Sequence, residues 1–322
     1  MGFFAGIAAL CTPIALVVFW IFATRGRRNH PKWEILRRFR YAHRGLHDPA
    51  QGVPENSMAA FRRARAFQCG IELDVHLTKD GHLAVIHDKS LLRTAGADVI
   101  VEQLTVPQLK NYRLEGTQEK IPLLEEVLEV FQDGPPLLVE LKADYFDVKK
   151  LVETAVRTLD QYRVNYCIES FHPGVLLWLA RHRPDICRGQ LSENFWRCRG
   201  ELKAWQAFAM TNLLSNFLTR PDFISFRQEH RWVPSVWLCR KLHRLKMFGW
   251  TVRSPREMEQ LEREGFSVIF EGFQPPLHAR FGHKKPHKPE KNEPLEKPPR
   301  GSFLYLCIDL GAARLQPGSH LS

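Results

Sequence analysis

Between residues 41 and 88 the chain sets two histidines, an arginine and several carboxylates at the ends of short apolar runs. These are Tyr41-Ala42-His43-Arg44-Gly45, Pro54-Glu55-Asn56-Ser57, Ile71-Glu72-Leu73-Asp74-Val75 and Val85-Ile86-His87-Asp88. In a strand, residues i and i+2 share a face. Glu72 and Asp74 are therefore a carboxylate pair, with Ile71, Leu73 and Val75 on the other face. Inside a barrel or a parallel sheet such a pair is buried and repels itself. A hard divalent cation, Mg²⁺ or Ca²⁺, is the ion that oxygen-only ligands favour there. His43 and His87 are of the type that moves protons as acid and base. Arg44 carries a guanidinium that forks a phosphate or pairs with a site carboxylate.

Further along, Val139-Glu140-Leu141-Lys142 adds a third acid late in an apolar run. Glu72, Asp74 and Glu140 are the candidate metal ligands, two from one strand and one from the next. Lys142 stands two residues beyond Glu140 and faces the same way, suited to phosphate or to balancing the acids. Glu55 is placed to orient Arg44 or a metal-bound water, and Asn56 or Ser57 to cap the helix that follows. Trp250 ends a later apolar run, and His172 after Ser170-Phe171 reads as a loop residue. The plain alternative is a hydrogen-bonded network of these acids with Arg44 and Lys142 that holds no ion.

Taken in order, the motifs H-R-G, P-E-N-S, E-x-D and H-D resemble the glycerophosphodiester phosphodiesterase family. Leu91-Leu92-Arg93-Thr94, the run from Ile121 to Leu128, and Val139 to Lys142 resemble its later segments. The resemblance spans roughly residues 40–273. It implies a (β/α)₈ TIM barrel with a small insertion after the second strand, at about residues 88–120, capping the active-site end. It also implies catalysis by His43 and His87, an ion on Glu72, Asp74 and Glu140, and Trp250 near the glycerol moiety. The implied reaction is hydrolysis of a glycerophosphodiester to an alcohol and glycerol 3-phosphate. Attack would come from the glycerol 2-hydroxyl through a cyclic phosphate, or directly from water. The family usually closes its eighth strand with Thr-Asp or Thr-Asn; here the chain reads Ile269-Phe270-Glu271-Gly272-Phe273. The bulkier acid is expected to narrow or recharge the substrate pocket. Two other readings stay open. One is a lysophospholipase D acting on lysophospholipids. The other is a non-catalytic barrel that binds phosphodiesters or lipid headgroups, although no histidine or carboxylate of the set is missing.

The elements that must position these residues alternate from residue 40 onward. Strands are expected near 40–43, 71–77, 137–141, 165–169, 187–191, 222–226, 247–252 and 267–270. Helices are expected near 56–68, 123–132, 148–161, 173–183, 199–215, 234–246 and 255–264, with an extra short strand at 82–87. Eight strands alternating with helices predict an α/β parallel barrel. In such barrels functional residues collect at the C-terminal strand ends, where His43, Asp74 and Glu140 fall.

The 322 residues carry a net charge of +11. No nucleic-acid motif accompanies it, and no obligate protein partner is evident. Seven cysteines, without a C-x-x-C pair, make no disulfide framework. Cys69, Cys167 and Cys239 read as reduced core thiols of a reducing compartment. Residues 3–23 hold no charge and, as a helix, reach about 30 Å. No basic residue precedes them, as a signal peptide would want, and Arg25, Arg27 and Arg28 follow. The expectation is a single membrane-spanning anchor over residues 1–24 with the remainder cytoplasmic. Next come a basic juxtamembrane connector (25–39), whose stretch 30–39 is an amphipathic helix on the membrane surface or a solvated link, the barrel (40–276), and a disordered Lys/Pro-rich tail (277–322).

Overall fold

The computed structural model describes residues 2–143, 148–198, 200 and 202–276, with side chains from Cys11 onward. The expected tail at 277–322 lies outside the described residues. Nine strands form one sheet: β1 (Tyr41–Ala42), β2 (Gly70–Leu77), β3 (Leu83–Val85), β4 (Leu137–Leu141), β5 (Tyr166–Ser170), β6 (Arg188–Ser192), β7 (Phe223–Arg227), β8 (Lys246–Val252) and β9 (Ser267–Phe270). β1 pairs in parallel with both β2 and β9, so the sheet closes on itself. Eight strands run parallel around the barrel, and β3 lies antiparallel outside it on β2.

Local chemistry explains the boundaries. Ser57 caps the helix Met58–Ala66 by accepting from the Ala60 amide, and Ser254 caps Pro255–Arg263, with proline in the first turn. Ile71, Leu73, Val75, Val139 and Leu141 point outward from the barrel and pack with helix residues such as Phe61, Val127, Leu128 and Val152. Between β3 and β4, short turns at Leu92–Ala95, Val101–Gln103, Val106–Leu109 and Leu114–Gly116 fold around their own small core, which includes Ile86, Leu91, Val101 and Ile121.

The barrel has an aromatic floor. Tyr41, Leu138, Cys167, Cys187, Phe223, Phe248 and Ile269 fill its lower interior together with Trp33 and Leu36. The Phe248 ring meets Tyr41 edge-on at 5.1 Å and Trp33 at 5.4 Å. The expected helix over 30–39 is therefore one turn, Trp33–Leu36, and it seals the barrel from below. Arg27 binds both oxygens of the buried Asp222 at 2.6 and 2.8 Å, and Arg40 forks Glu262. Residues 25–40 thus dock against the barrel, because acids of the barrel answer their charges.

The expectation of a single-pass membrane protein with a cytoplasmic barrel is overturned: among the described residues no helix is long and apolar enough to cross a membrane. A helix does form over Gly2–Ala23. Its end packs on the barrel: Ala23 and Thr24 are buried, and Phe19 and Phe22 lie 6.3 and 6.2 Å from Phe217. The helix expected over 199–215 is also shorter, Ala204–Thr211, followed by the turn Asn216–Thr219.

Gly189 marks how tightly the floor is filled. A Cβ there would lie 1.9–2.5 Å from the Phe223 ring. Gly189→Ala should cost about 1–3 kcal/mol through overpacking, read as a lower urea midpoint at unchanged slope. An unaltered midpoint would show that the floor has slack.

Candidate functional site

The carboxylates come from neighbouring strands in register. Asp74 of β2 is paired with Glu140 of β4, and Glu140 with Glu169 of β5, so the three form a row across the barrel. Glu72 lies two residues below Asp74 on the same face. One oxygen each from Glu72, Asp74 and Glu140 lies within 4.8 Å of the other two, and all three residues are buried. Burial pushes the Glu72 carboxyl well above the usual range, with the charges of Asp74 and Glu140 adding to it. Burial likewise raises Glu140 and Glu169. For Asp74 burial works in the same direction, but Lys142, His87, Arg44 and the Asn56 amide outweigh it and hold the carboxyl well below its usual range. Lys142 Nζ sits 2.9 Å from Asp74 Oδ1 and 2.8 Å from Glu140 Oε1. Four buried acids against so few cations leave a surplus of negative charge. All-oxygen donors at this spacing fit a hard divalent cation.

Arg44 occupies the left-handed backbone region, with φ 53°. Its amide donates to Glu72 Oε2 at 3.1 Å, its Nη1 bridges both oxygens of Glu55 at 3.0 Å, and its Nε faces Asp74 at 3.6 Å. Glu55 also takes Arg93 Nη2 at 2.6 Å, and Arg93 Nε reaches Asp88 at 2.5 Å. The capping expectation divides: Ser57 caps the helix, whereas Asn56 donates to Asp74 Oδ2 at 2.9 Å and belongs to the site.

Each histidine is held by a carboxylate on Nδ1: His43 by Glu271 at 2.6 Å and His87 by Asp88 at 2.5 Å. Burial lowers the His43 pKa, and the opposing pull of Glu271 does not reverse that. The imidazole is thus neutral near pH 7, with its proton on Nδ1 and the Nε2 lone pair free, 4.0 Å from Glu72 Oε2. Glu271 stays ionised. Burial alone would raise it, but the His43 hydrogen bond and the charges around it, Arg253 among them, hold it at about 2. Glu271, expected to narrow or recharge the substrate pocket, accepts from His43 with one oxygen and has its second 2.7 Å from Arg253 Nη2.

His43, Arg44, Glu72, His87, Glu140, Lys142 and Trp250 line one cavity of about 310 Å³, and Glu55 and Asp74 reach it through Arg44. Trp250 stands edge-on to Phe171 at 6.0 Å, and its indole N–H is buried without a hydrogen-bond partner among the described residues. The sequence reading missed Glu169, Glu193, Arg227 and Arg253 on the same wall. All four lie at or just beyond C-terminal strand ends, so the positional rule that located His43 also reaches them. His172 caps the helix Pro173–His182 by accepting from the Gly174 amide at 3.1 Å.

The model of the Glycerophosphoryl diester phosphodiesterase family matches residues 43–271. A glycerophosphodiester phosphodiesterase of Caldanaerobacter subterraneus subsp. tengcongensis is 30% identical over 238 residues, 71% of this chain and 91% of that protein. A lysophospholipase D of Rattus norvegicus is 34% identical over 122 residues, 34% of this chain and 38% of that protein. Among solved structures, an Oleispira antarctica phosphodiesterase in complex with sn-glycerol-3-phosphate shares the fold. Its TM-score is 0.61 at 23% identity, covering 76% of this chain and 95% of the other.

Glu271 is titratable against its own variant. Its pKa falls on folding from the ordinary 4.5 to about 2. The stability it contributes is therefore fully present above about pH 4.5 and lost as pH falls toward 2. Wild type should exceed Glu271→Gln by on the order of 1–3 kcal/mol at neutral pH. Urea unfolding across this range should show the gap closing by about pH 2. A gap that stays constant with pH would contradict the pairing.

Proposed function

Because the chain belongs to the glycerophosphoryl diester phosphodiesterase family, we propose that His43, His87 and the acidic triad hydrolyse a glycerophosphodiester to an alcohol and glycerol 3-phosphate. The observation that carries the assignment is the contrast between the two histidines around one row of buried acids. His43, neutral and with Nδ1 committed to Glu271, presents Nε2 as a general base to the attacking hydroxyl. His87, whose side chain is one-third exposed and tied by Nδ1 to Asp88, gives a proton to the leaving oxygen. Arg44 is kept in place by Glu55 and aims its remaining donors at the phosphate. Trp250 and Phe171 wall the end where glycerol sits. Glu72, Asp74 and Glu140 would hold a divalent cation, Mg²⁺ or Ca²⁺, which when bound offsets phosphate charge. Lys142, bonded to two of these acids, balances them where it stands.

A second reading, cleavage of lysophospholipids, has one observation in its favour. A groove of about 560 Å³ lined by Leu202, Trp205, Met210 and Leu214 shares Phe171 with the catalytic cavity, and Trp205 is 67% exposed on it. Choline release from glycerophosphocholine and from a lysophosphatidylcholine, each with and without chelator, separates these possibilities. Glycerophosphocholine should be the better substrate, chelation should abolish turnover, and Mg²⁺ or Ca²⁺ should restore it. Full activity after exhaustive chelation would remove the cation from the assignment.

The histidine roles predict different rescue. His43→Ala and His87→Ala should each lower kcat by about 10²–10⁴-fold on glycerophosphocholine. A p-nitrophenyl phosphodiester needs little help at its leaving oxygen, so His87→Ala should recover on it and His43→Ala should not. The opposite pattern would exchange the roles.

A further inference from the structure

The face of β2 that carries Glu72 and Asp74 continues to a third polar residue, His76, which the mechanism above leaves unused. His76 is 1% exposed, and both of its ring nitrogens face oxygen. Nδ1 lies 2.6 Å from Glu102 Oε1, and Nε2 lies 3.1 Å from the backbone carbonyl of His87. A carbonyl only accepts, so Nε2 must carry a proton and donate it. Glu102 is 4% exposed, sits in the turn Val101–Gln103, and has no partner for its other oxygen among the described residues. We propose that His76 is a positioning residue for His87: oriented by Glu102, it donates from Nε2 to the His87 carbonyl and fixes the loop after β3 that presents the imidazole.

The surrounding chain gives this clamp its importance. β3 ends at Val85, and the last backbone bond from β2 to this segment runs from the Ile86 amide to the Asp74 carbonyl at 3.0 Å. His87 follows with a side chain one-third exposed, held at its tip by Asp88. The His76 bond holds the same residue at its backbone. Glu102 belongs to the excursion between β3 and β4, whose small core includes the neighbouring Val101. The pair therefore ties that excursion, the strand of the acidic row and the proposed proton donor into one rigid unit. A misplacement of about 1 Å can cost ~10²-fold in rate, so a backbone bond at this point has kinetic weight.

A buried ion pair that merely braces the cap is the competing account, and two substitutions separate the two. Asparagine puts its amide where Nδ1 was; it can still meet Glu102 but falls short of His87. Glutamine puts its amide where Nε2 was and can still donate to the His87 carbonyl. This inference rests on the role proposed for His87, so His87→Ala is measured in the same glycerophosphocholine assay, with kcat normalised to the folded fraction from circular dichroism melts. The expected result is a fall in kcat of about 10–100-fold for His76→Asn with KM changed by less than about threefold, and recovery of most of that loss in His76→Gln. Equal kcat in the two variants, or a better asparagine variant, would overturn the clamp while leaving the role of His87 intact, provided His87→Ala is strongly impaired. An active His87→Ala would remove both.

Discussion

Everything in this barrel answers to the burial of like charge. Glu72, Asp74, Glu140 and Glu169 are buried on adjacent strands, where the charges of Asp74 and Glu140 add to the cost of ionising Glu72 and Glu169. A sheet in parallel register cannot avoid this once the acids are paired across strands. Lys142 and Arg44 offset part of the charge from within, and the oxygen donors that remain are of the kind and spacing that fit a hard cation. An aliphatic barrel would be easier to fold and would lack these oxygen donors.

Around this row the charged side chains that reach it are themselves held by further residues. Glu55 fixes Arg44 and is fixed by Arg93; Asp88 takes His87 and the same Arg93. Glu271 takes His43 and is held by Arg253. The charges alternate in sign outward from the centre, so the excess of the row is handed on in small steps to the rim.

Much of this was legible in the sequence, for identifiable reasons. The period of two in Ile71–Val75 reports its own geometry, and strand ends locate His43 and Glu140 without any tertiary knowledge. The short motifs that carried the family resemblance are themselves local. What escaped depends on closure. Glu271 is 228 residues from His43 and meets it only because β9 lies beside β1, so from the chain alone it read as an acid in the pocket. Asn56 looked like a cap because capping is a local habit of asparagine, and the competing partner, Asp74, is local only in three dimensions. Trp33 and Leu36 read as a surface helix because the space they fill exists only after eight strands have closed. The apolar N-terminal run was judged by its uncharged length alone, whereas the end of its helix makes contacts with Phe217 and His243 that only the folded barrel supplies.

The aromatic floor bears on how the fold can be divided. Trp33 and Leu36 precede the region that matches the family, residues 43–271, yet they pack inside the barrel against Phe223 and Phe248. Homology borders and the borders of the cooperative unit therefore disagree by at least a turn of helix. A chimera or a minimal fragment cut at the border of the match would have a complete set of chemical groups standing over an open drain. The inheritable part of this enzyme begins where its plug begins.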